Sequence, residues 1–132
     1  MPKIGGKHMN LPYATLKIKN DEYKLKITAK AAIELEKKQG KSIVDGMSDF
    51  DKVGTLTDYL EAGLQAYNPG ITEDSAIEIF DDYISAGGDV GSFAEVLVEM
   101  LIVSGFLKRP QTEALMARVK QMQESIIKAP KK

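Results

Sequence analysis

The chain has 132 residues, 43% hydrophobic and 28% charged, with a net charge of −1. That is one ordinary globular domain's worth of material, and no polycation for a nucleic-acid backbone. It has no cysteine and one histidine, His8, which excludes disulfides, thiol nucleophiles and thiolate zinc sites and removes most acid–base and metal chemistry near neutral pH.

The longest nearly apolar run, Val96–Val103, contains Glu99 and is far shorter than the roughly 20 residues of a membrane span. Met1–Asn10 has no apolar stretch of the signal-peptide kind. A cytoplasmic, non-redox protein without enzymatic chemistry is the expectation, with no membrane partner. Residues 1–12 read as a flexible N-terminal tail, in which Gly6-Lys7-His8-Met9 is readable as a cloning remnant and Met9 as the natural start.

Alternation then begins. Leu16 and Ile18 share one face of Thr15–Lys19, and Tyr23, Leu25 and Ile27 share one face of Tyr23–Ile27, with lysines opposite. A period of two with turn formers in Asn20-Asp21-Glu22 predicts a two-stranded hairpin. Such a hairpin is marginal alone and must pack on helices or pair with another chain. Leu16, Ile18, Tyr23, Leu25 and Ile27 are therefore candidate edge-strand contacts.

From Thr28 the period becomes helical. Thr28 caps a helix to about Gln39, with Ala29, Ala32, Ile33 and Leu35 on its apolar side and Gly40 as its stop. Ser42 and Asp45 start a short turn through Met47, and Thr55 with Asp58 starts a helix running to Tyr67 before Asn68-Pro69-Gly70. Thr72 opens the next helix, with Glu73 and Asp74 in its first turn and Ala76, Ile77, Ile79, Phe80, Tyr83 and Ile84 as its stripe. Ser92-Phe93-Ala94-Glu95 reads as a capping box before a helix, apolar nearly all round, that ends at Gly105.

Pro110 suits the first turn of a last helix to about Lys128. The predicted class is α+β and predominantly helical: an N-terminal two-stranded hairpin followed by about five helices. Residues 13–107 form the domain, and residues 108–132 form a C-terminal helix and short basic tail.

Charge is segregated. Residues 1–30 carry a net +5, residues 31–105 a net −11, and residues 106–132 a net +5. Basic ends can meet the acidic middle, within one molecule or between neighbours, through contacts that salt screens.

The motifs that invite chemistry are incomplete. Asp49-Phe50-Asp51-Lys52-Val53-Gly54 begins like a calcium loop, but Val53 stands at its fifth position and Leu60 at its twelfth, where an oxygen ligand and a bidentate glutamate belong. Asp81 and Asp82 diverge on a helix and have no histidine partner. Gly87-Gly88-Asp89-Val90-Gly91 lacks the lysine–hydroxyl ending of a phosphate loop. Residues 55–86 could imitate a helix-turn-helix but are acidic, which repels phosphate. No catalytic, metal or cofactor-binding residue is nominated, and no cofactor is expected.

The C-terminal segment carries a different signal. Leu115, Val119, Met122 and Ile126 recur at spacings of 4, 3 and 4, flanked by Met116 and Ile127. Two heptads are short for an independent coiled coil. The seam either packs on its own domain or docks another chain, so these residues, with Met116, are candidate client or subunit contacts.

Read in order, residues 16–106 resemble the tail assembly chaperones of long-tailed (siphovirus-type) bacteriophages of Gram-positive hosts. The features are a lysine-rich hairpin ending Glu22-Tyr23-Lys24-Leu25-Lys26-Ile27-Thr28, a helix with Ile33-Glu34-Leu35-Glu36 closed by Gly40-Lys41-Ser42, and the run Leu56–Ala66. They continue with Ile71-Thr72-Glu73, Phe80-Asp81-Asp82-Tyr83-Ile84 before Gly87-Gly88, and an apolar helix ending Ser104-Gly105-Phe106.

The resemblance implies a non-enzymatic protein that coats the tape measure protein until the tail tube polymerises around it. It further implies self-association into a homo-oligomer, contact with the tail tube protein, residence in the host cytoplasm and absence from the mature virion. The competing reading is a small oligomeric virion component, a head–tail connector or tail completion protein.

Overall fold

The structure is a computed structural model and describes residues 11–108. His8 and the seam Leu115, Met116, Val119, Met122 and Ile126 lie outside the described residues, as do the tail up to residue 10 and the chain beyond residue 108.

Strands β1 (Ala14–Ile18) and β2 (Asp21–Leu25) pair antiparallel, with Leu16 opposite Tyr23 and Ile18 opposite Asp21. Helices α1 (Ala29–Gln39), α2 (Ile43–Gly46), α3 (Val53–Leu64), α4 (Glu73–Ser85) and α5 (Val90–Val103) follow, with a 3-10 turn at Met47–Asp49. The protein is thus α+β and mostly helical, a hairpin and then five helices. No helix among the described residues is long and apolar enough to cross a membrane.

The hairpin turn sits one step earlier than the turn formers place it. Lys19 and Asn20 make the reversal, Lys19 taking a positive φ of 55°, while Asp21 and Glu22 belong to β2. Register decides this: Ala14, Leu16 and Ile18 must face the core together with Leu25, and a one-residue slip would turn them all to solvent. The hairpin's end is clamped twice, the Lys26 N–H donating to the Gly63 carbonyl at 3.0 Å and the Ile27 N–H to Ser104 Oγ at 2.9 Å.

Helix α1 begins and ends as its caps dictate: Thr28 accepts from the Ala31 N–H, and Gly40 closes it in the left-handed region. Its buried side is Ala31, Ala32 and Leu35, while Ala29 is exposed and Ile33 is 54% exposed. The helix lies against α3 on one side only, so the arc at Ile33 faces outward.

The start of α3 is at Val53, not Thr55. Lys52 occupies the cap position with no side-chain cap bond, and Thr55 is buried one turn inside. A Thr-x-x-Asp spelling does not make a cap where the chain is already helical. The helix also stops at Leu64, and Tyr67 lies beyond it against Tyr13 with Lys24 over both rings.

In α4, Thr72 caps as expected, and Ala76, Ile79 and Phe80 are buried, but Ile77 and Ile84 stay exposed at the edge of the stripe. In α5 the cap is Asp89. It accepts from the Ser92 N–H at 2.7 Å, and Ser92 Oγ accepts in return from the Asp89 N–H. Ser92 is therefore the fourth and last residue of the box and not its first. Asp89→Ala is expected to cost about 0.5–2 kcal/mol, read from the urea midpoint, because it strands orphan N–H donors at the start of a helix that packs into the core.

The core is one cluster. Leu16, Leu25, Phe50, Leu56, Leu60 and Leu97 are fully enclosed within it. Tyr59 is enclosed too, its hydroxyl donating to the Ile43 carbonyl at 2.7 Å. Burial, then the charges of Asp49, Glu36 and Asp45, push this phenol above its ordinary 10.0. A raised folded value means the contribution is whole below the unfolded tyrosine value and is lost as pH rises beyond it. Urea midpoints measured from about pH 8 to pH 11 are expected to fall at the alkaline end, and to fall less in Tyr59→Phe.

Candidate functional site

Helices α1 and α3 run beside each other and leave a groove along their seam. The floor is small and apolar: Ala31 and Leu35 from α1 and Ala62 from α3 are buried. Alanine at facing helical positions keeps the walls low, so the groove stays open where leucine would fill it.

One hollow of about 230 Å³ is walled by Glu34, Lys38, Asp58, Glu61 and Gln65. A second of about 340 Å³ continues past Gln65 to Ala66, Pro69 and Gly70, with Thr28 and Lys30 opposite. Both are lined by Ala31, Glu34 and Gln65, so they form one trough. Its length, from Thr28 to Lys38 along α1, is about 15 Å at 1.5 Å per residue.

Charge organises one end. Lys38 Nζ lies 3.1 Å from Asp58, 3.5 Å from Glu61 and 4.0 Å from Glu73. Gln39 Nε2 donates to the other Asp58 oxygen at 2.6 Å. Burial alone would lower the Lys38 ammonium, but the hydrogen bond from it to Asp58 and the charges of Asp58, Glu61 and Glu73 outweigh this and hold it above its ordinary value. The cation is held by a carboxylate cluster that ties α1, α3 and the start of α4 together. It is no proton donor near neutral pH.

The arrangement can hold a segment of chain. It offers a small apolar floor, a rim of carboxylates, the Gln65 amide and two lysines, Lys30 and Lys38, and no nucleophile–base pair. These are the features of a groove for an amphipathic helix, which places apolar anchors at turn spacing on the floor and polar groups on the rim.

The sequence-nominated residues fall elsewhere. Leu16, Ile18, Leu25 and Ile27 are buried in this chain's own core and Tyr23 packs at its margin. An edge contact at the hairpin would run through main-chain groups and not through these side chains. Asp49 is an ion-pair partner, 2.8 Å from Lys41 Nζ and 3.4 Å from Lys52 Nζ. The hydrogen bond from Lys41 is the main reason its carboxyl lies below the usual range.

Asp81 and Asp82 are exposed on α4. The Gly87–Gly91 stretch joins two helices, with Asp89 on the N–H groups that a phosphate would need. Among the described residues no cluster of three or more His, Asp or Glu side chains is placed to hold a metal.

The groove was not visible in the sequence, because its walls are about 30 residues apart. The hint was Ala31 and Ala62, small residues on the two helices, with Ala66 just beyond the end of α3. The chain matches no family model, no curated protein and no solved structure.

Proposed function

We propose that this chain is a phage tail assembly chaperone: a non-enzymatic protein that binds the tape measure protein in the host cytoplasm, keeps it in solution until the tail tube polymerises around it, and is absent from the mature virion. The observation that supports the reading is the α1–α3 trough, whose small apolar floor and rim of mixed charge, Glu34, Asp58 and Glu61 with Lys30 and Lys38, suit a helical client and require no cofactor. The resemblance of the ordered features from Leu16 to Phe106 to that family is its second support. Holding must be reversible, and several weak grooves in a homo-oligomer give avidity without any one irreversible contact.

Co-expression with the tape measure protein of the same phage tests this. The client is expected in the soluble fraction, in a complex recovered by pull-down. A client that stays insoluble with no complex overturns the proposal.

The groove makes a sharper prediction. Ala66→Arg puts a long cation across the trough from a partly buried wall position. It is expected to weaken client binding by tenfold or more, about 1.4 kcal/mol, with an unchanged circular dichroism spectrum.

A further inference from the structure

The two outer edges of the hairpin differ. Ile18 and Asp21 flank a two-residue turn, so they exchange both of their main-chain hydrogen bonds. Alternation gives the same bonding to Leu16 with Tyr23 and to Ala14 with Leu25. Thr15 and Lys17 therefore turn their main-chain N–H and C=O groups away from β2. Glu22, Lys24 and Lys26 turn theirs away from β1.

The outer edge of β2 is taken: the Lys26 N–H donates to the Gly63 carbonyl, and the strand packs against α3. The outer edge of β1 is open. Among the described residues, no group bonds the outward N–H or C=O of Thr15 or Lys17. The edge is also held in place, because Ala14, Leu16 and Ile18, which alternate with these two, are anchored in the core. A strand already extended and fixed pays little ordering entropy when another strand joins it.

Charge decides the kind of partner. On the side of the sheet away from the core lie Lys17, Lys19 and Lys24, all exposed. Glu22 answers Lys17 at 3.6 Å, but that pair is itself well exposed and therefore weak. A second copy pairing through its own β1 would set these lysines against one another across one sheet, and like charges on neighbouring strands repel.

We infer that the free edge of β1 takes an added strand from another protein, an extended segment in which acidic and apolar residues alternate. Its main chain bonds Thr15 and Lys17. Its acids lie beside Lys17 and Lys19 on the outer side, and its apolar residues extend the inner side beside Leu16 and Ile18. None of the residues lining the α1–α3 trough belongs to the hairpin, so this surface is separate from the trough and the inference stands without the tail-assembly reading.

The full chain tests it, with a short synthetic peptide alternating glutamate and valine as the probe and its lysine–valine counterpart as the control. In the free chain, amide hydrogen exchange is expected to be fast at Thr15 and Lys17 and slow at Leu16 and Ile18. The glutamate peptide is expected to slow Thr15 and Lys17 about tenfold, the lysine peptide to leave them fast, and Lys17→Glu to reverse that preference. Thr15→Pro removes an outward N–H that the hairpin does not use, a change that an edge strand tolerates. It is expected to keep the circular dichroism spectrum and to bind the glutamate peptide about tenfold more weakly. The exchange pattern and the charge reversal decide the matter if Thr15→Pro fails to fold. Slow exchange at Thr15 and Lys17 in the free chain (an edge already covered, by this chain or by a second copy), equal effects of the two peptides, no effect of either, or full affinity in a folded Thr15→Pro overturns the inference.

Discussion

Phe93→Ala is expected to lower the unfolding free energy by about 3–5 kcal/mol, the range for deleting a buried aromatic side chain. Phe93 is fully enclosed. Its ring meets Phe80 edge-on with centroids 5.0 Å apart and Tyr83 at 5.3 Å. These contacts, with the hydrogen bond between the Tyr83 and Ser92 hydroxyls, join the end of α4 to the start of α5. Removing the ring takes away one shared partner of both helices and leaves a void that two rigid neighbours cannot fill.

For a domain whose whole stability is about 5–15 kcal/mol, the loss is a large share. The urea midpoint should drop with the slope unchanged, and Phe93→Leu should recover more than half of the loss by refilling the space. A loss in Phe93→Ala below about 1 kcal/mol would mean that α4 is held elsewhere.

Much of the fold was legible because its signals are local. Thr28 and Gly40 bracket α1, Ser42 starts α2 and Thr72 starts α4, each through a bond to a residue three or four positions away. Period-two alternation placed the hairpin because its inward face is buried and its outward face is not.

Errors arose where two local signals competed. Asp89 and Ser92 are both good caps, and the chain uses the first as the cap and the second as its reciprocal partner. Thr55 spells a cap but is buried inside α3, where its neighbours Leu56, Tyr59 and Leu60 are drawn into the core. Which apolar residues stay outside was not local at all. Ile33 and Ile77 are exposed because nothing among the described residues packs on their side of α1 and α4. The trough had the same cause, since it exists only once α1 lies on α3 and Lys38 meets Asp58, Glu61 and Glu73.

Gly46 gives the second large effect, and its sign depends on another residue. Its backbone is right-handed helical, with φ −64° and ψ −19°, so conformation alone would welcome alanine, which gains about 1 kcal/mol over glycine in a helix. Space forbids it: a Cβ would run into the Tyr59 hydroxyl and stand 3.3 Å from ring carbon Cζ. That hydroxyl is fixed by its bond to the Ile43 carbonyl, and the ring is held edge-on by Phe50 at 4.8 Å.

Gly46→Ala must therefore push the phenol off its acceptor or shift α2 against the core. Overpacking and a buried unpaired carbonyl each cost about 1–3 kcal/mol. Tyr59→Phe alone loses the hydrogen bond, about 1–3 kcal/mol. In the Tyr59→Phe background the obstructing oxygen is gone and the bond is already lost, so adding Gly46→Ala is expected to be nearly neutral, with the helix gain offsetting the remaining close approach to the ring. The four proteins form a double-mutant cycle with a coupling of about 1–3 kcal/mol. Additive losses would show that Gly46 is small for some reason other than the tyrosine it shelters.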